Sequence, residues 1–288
     1  MMIDRLNFAK GNRTRTLFVI FNYLLMVLII VLMLIPLLKV LSDSLDNTAF
    51  YGISLIPKKP SLAAYQRIIS SASLYRPFMI SVYVTIVGTF IAMFFTTTGA
   101  YVMAQKNLPG RGIFIWMIMA AMLFQAGMIP AYMNIKRLGI MNTLWAVILP
   151  MALRNYNLIL MRNFFMDIPD SVTEAAEIDG ASPFQTFWRI VLPMSKPALA
   201  TIGLFCIVEY WNDFFHYVIY INNSDLYNFQ VKLREMVLQD DYGNSSIIVY
   251  GRSLQNATII TAMIPVLILY PFLQKYFVKG INLGAIKG

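Results

Sequence analysis

The stretch "SVTEAAEIDGASPFQTFWRIVLP", residues 171–193, sets the acidic side chains Glu174, Glu177 and Asp179 between two apolar segments of the chain. Ser171-Val172-Thr173-Glu174 has the form of a capping box: the Ser171 hydroxyl accepts from the Glu174 amide while that carboxylate reaches back to the cap. This predicts a helix beginning at Ser171. Gly180 is suited to ending it in a left-handed conformation, and Ser182-Pro183-Phe184-Gln185 at once offers a second cap with proline at the first helical position. Two short helices at an angle are expected, with Val172, Ala175, Ala176 and Asp179 on one face of the first. Alanines there let another surface approach the backbone closely, which points to docking. The alternative is an amphipathic loop lying on a bilayer.

The rest of the chain explains why such an insert stands out. Of its 288 residues 58% are apolar and only 13% are charged, and the mean hydropathy is +0.64. That composition lies outside the range of ordinary soluble domains. Apolar runs approaching the roughly 20 residues needed to cross a bilayer recur along the whole length, leaving no room for a separate globular core. One membrane domain over residues 1–288 is expected. The single cysteine, Cys206, lies in an apolar run, which excludes an intrachain disulfide and a Cys-x-x-Cys pair. The net charge of +9 comes from basic residues scattered through the short connections. Lipid headgroups account for them better than nucleic acid does.

Leu17 to Leu38 carries no charge and follows Arg5, Lys10, Arg13 and Arg15, opposed only by Asp4. This flank favours a cytoplasmic N-terminus, and the length of the run argues for an uncleaved first helix over a signal peptide. Six spans are read at about 17–38, 78–104, 113–135, 144–161, 197–220 and 257–273. Both termini are then cytoplasmic, as is the loop at about 162–196 that contains the opening stretch. Pro130, Pro265 and Pro271 predict kinks within apolar runs.

Charges inside spans are expensive and need partners. From Glu209 the fifth span reads E-Y-W-N-D-F-F-H-Y-V-I-Y, which as one helix aligns Glu209, Asn212, Asp213, His216 and Tyr220 along a stripe that could line water. For Asp213 and His216 the headgroup layer is an equal alternative. At a 1.5 Å rise per residue, Glu209 falls about 18 Å in from Pro197, and Arg154 about 18 Å in from Asn142 in the opposite direction. Their heights then differ by only about 6 Å, so an ion pair between them is geometrically possible. The segment 221–256, with "QDDYGNSS" from Gln239, faces outward and suits contact with an extracytoplasmic protein as well as it suits a plain solvated loop.

Residue spacing adds a resemblance. Glu174-Ala175-Ala176, three residues, Gly180, nine residues, Ile190, one residue and Leu192-Pro193 is similar at every fixed position to the EAA loop of ABC-importer permease subunits. "EYWND" at 209–213, "GINLGAIKG" at 280–288, "SLIPKKPSLAAYQRI" from Ser54 and "SVYVTIVGT" from Ser81 resemble the carbohydrate branch, the relatives of the maltose permease's smaller subunit. Within it the wording is similar to a subgroup that imports complex oligosaccharides, alginate oligosaccharides among them.

This resemblance implies an all-α membrane protein with six transmembrane helices, the type I ABC importer permease fold and a cytoplasmic coupling helix. It implies an inner-membrane subunit paired with a second permease, two ATP-binding subunits and an extracytoplasmic solute-binding protein, with a sugar as cargo. Glu174, Ala175, Ala176, Asp179 and Gly180 would form the docking element. No cofactor is expected in this chain; ATP and Mg would reside on the partner subunits. Gln125 and Trp211 join Arg154, Glu209, Asn212 and Asp213 as candidates for the path or for sugar contact, with routine packing the alternative for Gln125 and Trp211.

The chain has no G-x-x-x-x-G-K-[ST] phosphate loop, no H-E-x-x-H pair and no G-x-S-x-G elbow, and only one histidine. An enzyme is therefore not expected. The rival readings are a permease for another solute, an intramembrane enzyme using Glu209, Asp213 and His216, and a secondary carrier.

Overall fold

The uncharged run from Leu17 forms the middle of a single helix, α1 (Arg13–Ser44). Its apolar side chains stay largely exposed, as expected where the solvent is hydrocarbon. The computed structural model describes residues 13–47, 54–124, 126–239, 251–268 and 271. Among these the secondary structure is helical, with one isolated bridge between Asp46 and Pro60. Two compact units are formed: Met1–Ile68 with Gln239–Ile260, and Ile69–Leu238 with Thr261–Gly288.

In the first unit the end of α1 is polar and buried. Ser44 Oγ shares a hydrogen bond with Tyr65 Oη (2.7 Å), and the Ser44 carbonyl accepts from Ser253 Oγ (3.3 Å). Lys58 N donates to Asp46 Oδ2 (2.7 Å), and Asp43 pairs with Lys39. Burial of these groups is tolerable because each has a partner.

The second unit is built around α3 (Ala72–Ala104), which follows the short α2 (Ala63–Ser70). Ser81, Thr85, Gly88, Ala92, Thr96 and Ala100 recur at helical spacing and are buried, giving α3 a stripe of small residues on which other helices pack closely. At Gly88 this has a specific consequence: a Cβ would stand 2.6 Å from the ring of Tyr210. Tyr210 crosses α3 there and donates its hydroxyl to the Ile148 carbonyl at 2.9 Å.

The later spans are interrupted. In place of one helix over 113–135 stand α4 (Arg111–Leu123) and α5 (Met128–Arg137), at 116° to each other. The bend expected at Pro130 falls before Gly127 (φ +76°) instead. Pro130 lies in the first turn of α5, where its missing N–H has no helical partner to lose. The fourth apolar run is α6 (Trp145–Met151) and α7 (Asn155–Met166), separated at Ala152–Arg154. Pro150 removes a rung of the hydrogen-bond ladder just before the break, and Arg154 is extended (φ −98°, ψ 121°).

Next come α8 (Asp170–Ile178), α9 (Pro183–Thr186), a π-helical turn (Phe187–Val191) and α10 (Leu192–Met194). The helix Pro183–Met194 meets α11 (Lys196–Asn212) at 82°. The fifth span, expected as one helix over 197–220, is broken after α11, and α12 (Phe215–Tyr220) resumes it. Here a side chain competes with the helix: Asp213 Oδ1 accepts from His216 N (3.4 Å) and His216 Nδ1 (2.8 Å), capping α12 rather than continuing α11. A 3-10 turn (Ser224–Leu226) and α13 (Phe229–Gln239) follow, and residues 251–268 are helical.

Two described helices are long and apolar enough to cross a membrane, 15–44 and 72–104. The number rises to four if each of the bent pairs 111–123 with 128–137 and 183–194 with 196–212 counts as one span.

Candidate functional site

The first helix of the insert starts earlier than Ser171. Pro169 (ψ 134°) sets the entry, Asp170 occupies the first turn, and Ser171 lies within the helix, so the capping box expected at Ser171–Glu174 does not form. Asp170 satisfies the electrostatics of the helix start in its place, pairing with Lys106 and offering a negative charge to the positive end of the dipole. Thr173 Oγ1 closes the turn on the Asp170 carbonyl (2.9 Å).

The end of α8 follows the sequence closely. Gly180 has φ +78°, Gly180 N donates to the Glu177 carbonyl (3.0 Å) and Ala181 N to the Ala176 carbonyl (2.9 Å). That bonding pattern is a Schellman motif, which needs the left-handed residue that glycine supplies most cheaply. The second cap forms fully: Gln185 N donates to Ser182 Oγ (3.3 Å) and Ser182 N to Gln185 Oε1 (2.9 Å).

The docking face is divided. Ala176 turns inward and is buried, while Glu174, Ala175, Asp179 and Gly180 are exposed, with Val172 in between. Ile178, absent from the expected face, is 86% exposed. An apolar side chain so displayed between Glu177 and Asp179 has no structural role within this chain's core. Beside α8 runs a groove of about 320 Å³ whose walls include Lys106, Asp170, Thr173, Glu174 and Glu177.

The two charges that interrupt apolar runs of the sequence meet. Arg154 Nε lies 3.3 Å from Glu209 Oε2, with the side chains 43% and 41% exposed. The break before α7 frees Arg154 from helical geometry, and α11 presents Glu209 toward it. The pair is built on a supported frame: Tyr210, the neighbour of Glu209, bonds the Ile148 carbonyl in the middle of α6. Asn157 Nδ2 contacts Cys206 Sγ (3.7 Å), a second link between α7 and α11.

The polar stripe expected along 209–220 does not exist as a stripe, because the helix ends at Asn212. Asn212 is exposed; Asp213 is 7% exposed, its carbonyl accepting from Asn228 Nδ2 (2.5 Å). Asp213 is therefore a buried capping group. Trp211 is also buried, donating Nε1 to the Ala262 carbonyl (3.0 Å) with its ring edge-on to Phe78 (5.7 Å between centroids). Its indole serves packing. Gln125 lies outside the described residues, as does most of "QDDYGNSS". Tyr210, Gly88 and Asn228 were not singled out from the sequence; the small-residue stripe of α3 is the signal that could have found Gly88.

Residues 7–283 match the family model described as "Binding-protein-dependent transport system inner membrane component". Protein LplC of Bacillus subtilis (strain 168) is 39% identical over 268 residues, 88% of this chain and 90% of that protein. The polygalacturonan/rhamnogalacturonan transport system permease protein YtcP of the same organism is 39% identical over 277 residues, covering 93% and 97% of the two chains. A chain in the crystal structure of a bacterial ABC transporter involved in the import of the acidic polysaccharide alginate superposes with a TM-score of 0.86 at 29% identity, over 93% of this chain and 99% of that one. The fold is accordingly that of a type I ABC importer permease. Sequence and fold together place the chain in the family of inner membrane components of binding-protein-dependent transport systems.

Proposed function

We propose that this chain is the permease subunit of an ATP-driven importer of oligosaccharides, and that residues 170–194 couple it to an ATP-hydrolysing subunit. Sugar import is supported by relatives named for oligosaccharide and polysaccharide transport, the polygalacturonan/rhamnogalacturonan permease and the arabinooligosaccharide permease of Halalkalibacterium halodurans among them. The whole of residues 1–288 is read as one permease domain of six spans, with both termini and the insert on the cytoplasmic side. The broken helices fit such a count, since interrupted spans are tolerated where they are covered by protein or line a cavity.

The observation that carries the coupling role is the exposed face of α8: Ala175, Ile178 and the carboxylates of Glu174 and Asp179, ended sharply at Gly180. Small and apolar side chains flanked by acids suit a groove on another protein. The partners are a second permease forming a heterodimer, two ATP-binding subunits that hold ATP and Mg, and a solute-binding protein that meets the outward segment 221–256. Arg154, Glu209 and Asn212 are read as facing the path or the second permease, where a half-exposed ion pair is shielded from lipid. The partner's closure around ATP would move α8, and rigid shifts of the helices would open the path to alternate sides.

The test is reconstitution of the complete importer in proteoliposomes with Glu174→Lys in this chain. Transport and binding-protein-stimulated ATP hydrolysis are expected to fall together while the chain still inserts. Wild-type coupling in that variant would refute the docking role.

A further inference from the structure

The insert is a poor lever by itself. It turns sharply at Gly180, passes through a π-helical turn at Phe187–Val191, and meets α11 at 82°. On its C-terminal side a displacement of α8 can be absorbed at each of these places before it reaches α11. Transmission to α3 and α11 therefore needs a contact that bypasses that chain connection.

Beside the exposed Lys106–Asp170 pair, one further side chain makes such a contact. Tyr101, in the last turn of α3, donates its hydroxyl to the Pro183 carbonyl at 3.1 Å. Its ring lies against Phe187 (centroids 4.8 Å apart, planes at 38°) and edge-on to Phe165 of α7 (6.5 Å, 81°). Phe165 and Phe187 are themselves edge-on at 6.5 Å, and both are buried. The three rings join α3, α7 and the second helix of the insert at one point, at the start of the π turn. The end of α3 is fixed independently, the Met103 carbonyl accepting from Arg162 Nε at 3.1 Å. From there α3 runs unbroken past Gly88, where it bears on Tyr210 of α11, the neighbour of Glu209.

We infer that Tyr101 is a positioning residue for coupling: it grips Pro183 and Phe187 so that movement of the docked insert shifts α3 and α7 directly. This rests on the reading of α8 as the docking helix. The hydroxyl and the ring have separable parts in it. The ring keeps the three elements packed, and the hydroxyl ties the packed cluster to the start of the insert's second helix. A residue that only filled space would support assembly and hydrolysis but would not set how much solute moves per ATP.

The experiment uses the complete importer in proteoliposomes, with Tyr101→Phe and Tyr101→Ala. It measures complex recovery, stimulated ATP hydrolysis and solute transported per ATP. An Ile178→Cys crosslink to the ATP-binding subunit is measured in parallel. Side chains along a coupling route change coupling by about twofold to thirtyfold, so solute per ATP is expected to fall at least about twofold in Tyr101→Phe, and further in Tyr101→Ala, with hydrolysis and recovery retained. If Tyr101→Ala fails to assemble, Tyr101→Phe decides. A crosslink that forms while solute per ATP is unchanged in an assembled variant overturns the assignment of Tyr101 alone. Absence of the crosslink when Tyr101 is intact overturns the docking reading, and this inference with it.

Discussion

Arg154 and Glu209 reach each other, Nε to Oε2 at 3.3 Å, from two elements that each end or begin within a few residues of the contact. With about two-fifths of each side chain exposed, the pair is not sealed in the interior of this chain. On the proposed six-span reading both charges lie in hydrocarbon, where an unpaired charge is costly, and each residue then makes the other tolerable.

Reversal of one charge should therefore be worse than reversal of both. Arg154→Glu and Glu209→Arg each place like charges together and are expected to reduce transport or complex recovery severely, and the double exchange is expected to restore much of it. Recovery of the assembled importer and solute uptake check this. A double variant worse than both singles removes the pairing from the account.

Gly88→Ala tests the closest helix approach. A methyl group there meets the Tyr210 ring at 2.6 Å, and the aromatic ring cannot give way without losing its bond to the Ile148 carbonyl. Overpacking of this kind costs about 1–3 kcal/mol. The expected result is a lower thermal midpoint of the detergent-purified importer, with Tyr210→Phe also destabilising, by about 1–3 kcal/mol, because the hydroxyl's acceptor is left buried without a donor.

Gly180→Val bears on the backbone of the insert alone. Nothing lies within 4 Å of a Cβ at this position, so the strain comes only from φ +78°. That conformation costs about 1–2 kcal/mol for an L side chain. Membrane insertion and yield are expected to be normal, while uptake and stimulated hydrolysis fall because α8 is set at a different angle.

Lys106→Ala provides the contrast. Lys106 and Asp170 pair, but their side chains are 66% and 59% exposed, where an ion pair is worth about 0–1 kcal/mol. Stability is expected to change by less than the Gly88→Ala effect, as read from the same thermal midpoint.

The long uninterrupted helices α1 and α3 were legible because an uncharged apolar run has few other options in lipid. The Arg154–Glu209 pair was legible for a related reason: two lone charges in hydrocarbon runs, at similar heights by simple rise per residue. The breaks were not. Asp213 ends α11 by capping α12, a local competition that helical periodicity does not register, and it turned an expected polar stripe into a buried cap. In the insert, Gly180 and Ser182–Gln185 read correctly because each motif has one strong geometry. Ser171–Glu174 misled because Pro169 and Asp170 start the helix earlier. Ile178 escaped notice because an isoleucine in a helix is usually core, and Tyr101 because an aromatic residue near the end of an apolar span is usually packing.

The most direct test of the coupling role is thiol crosslinking from Ile178→Cys in the assembled importer, with Phe90→Cys as the control. Both native side chains are highly exposed, 86% and 75%, yet Phe90 lies in the middle of α3. The native Cys206 is buried and gives little background. The Ile178→Cys variant is expected to link to the ATP-binding subunit, with an efficiency that changes on nucleotide addition, and the Phe90→Cys variant is expected not to link. An Ile178→Cys thiol that stays freely reactive to a water-soluble reagent in the active complex, and never links to that subunit, would contradict the coupling role.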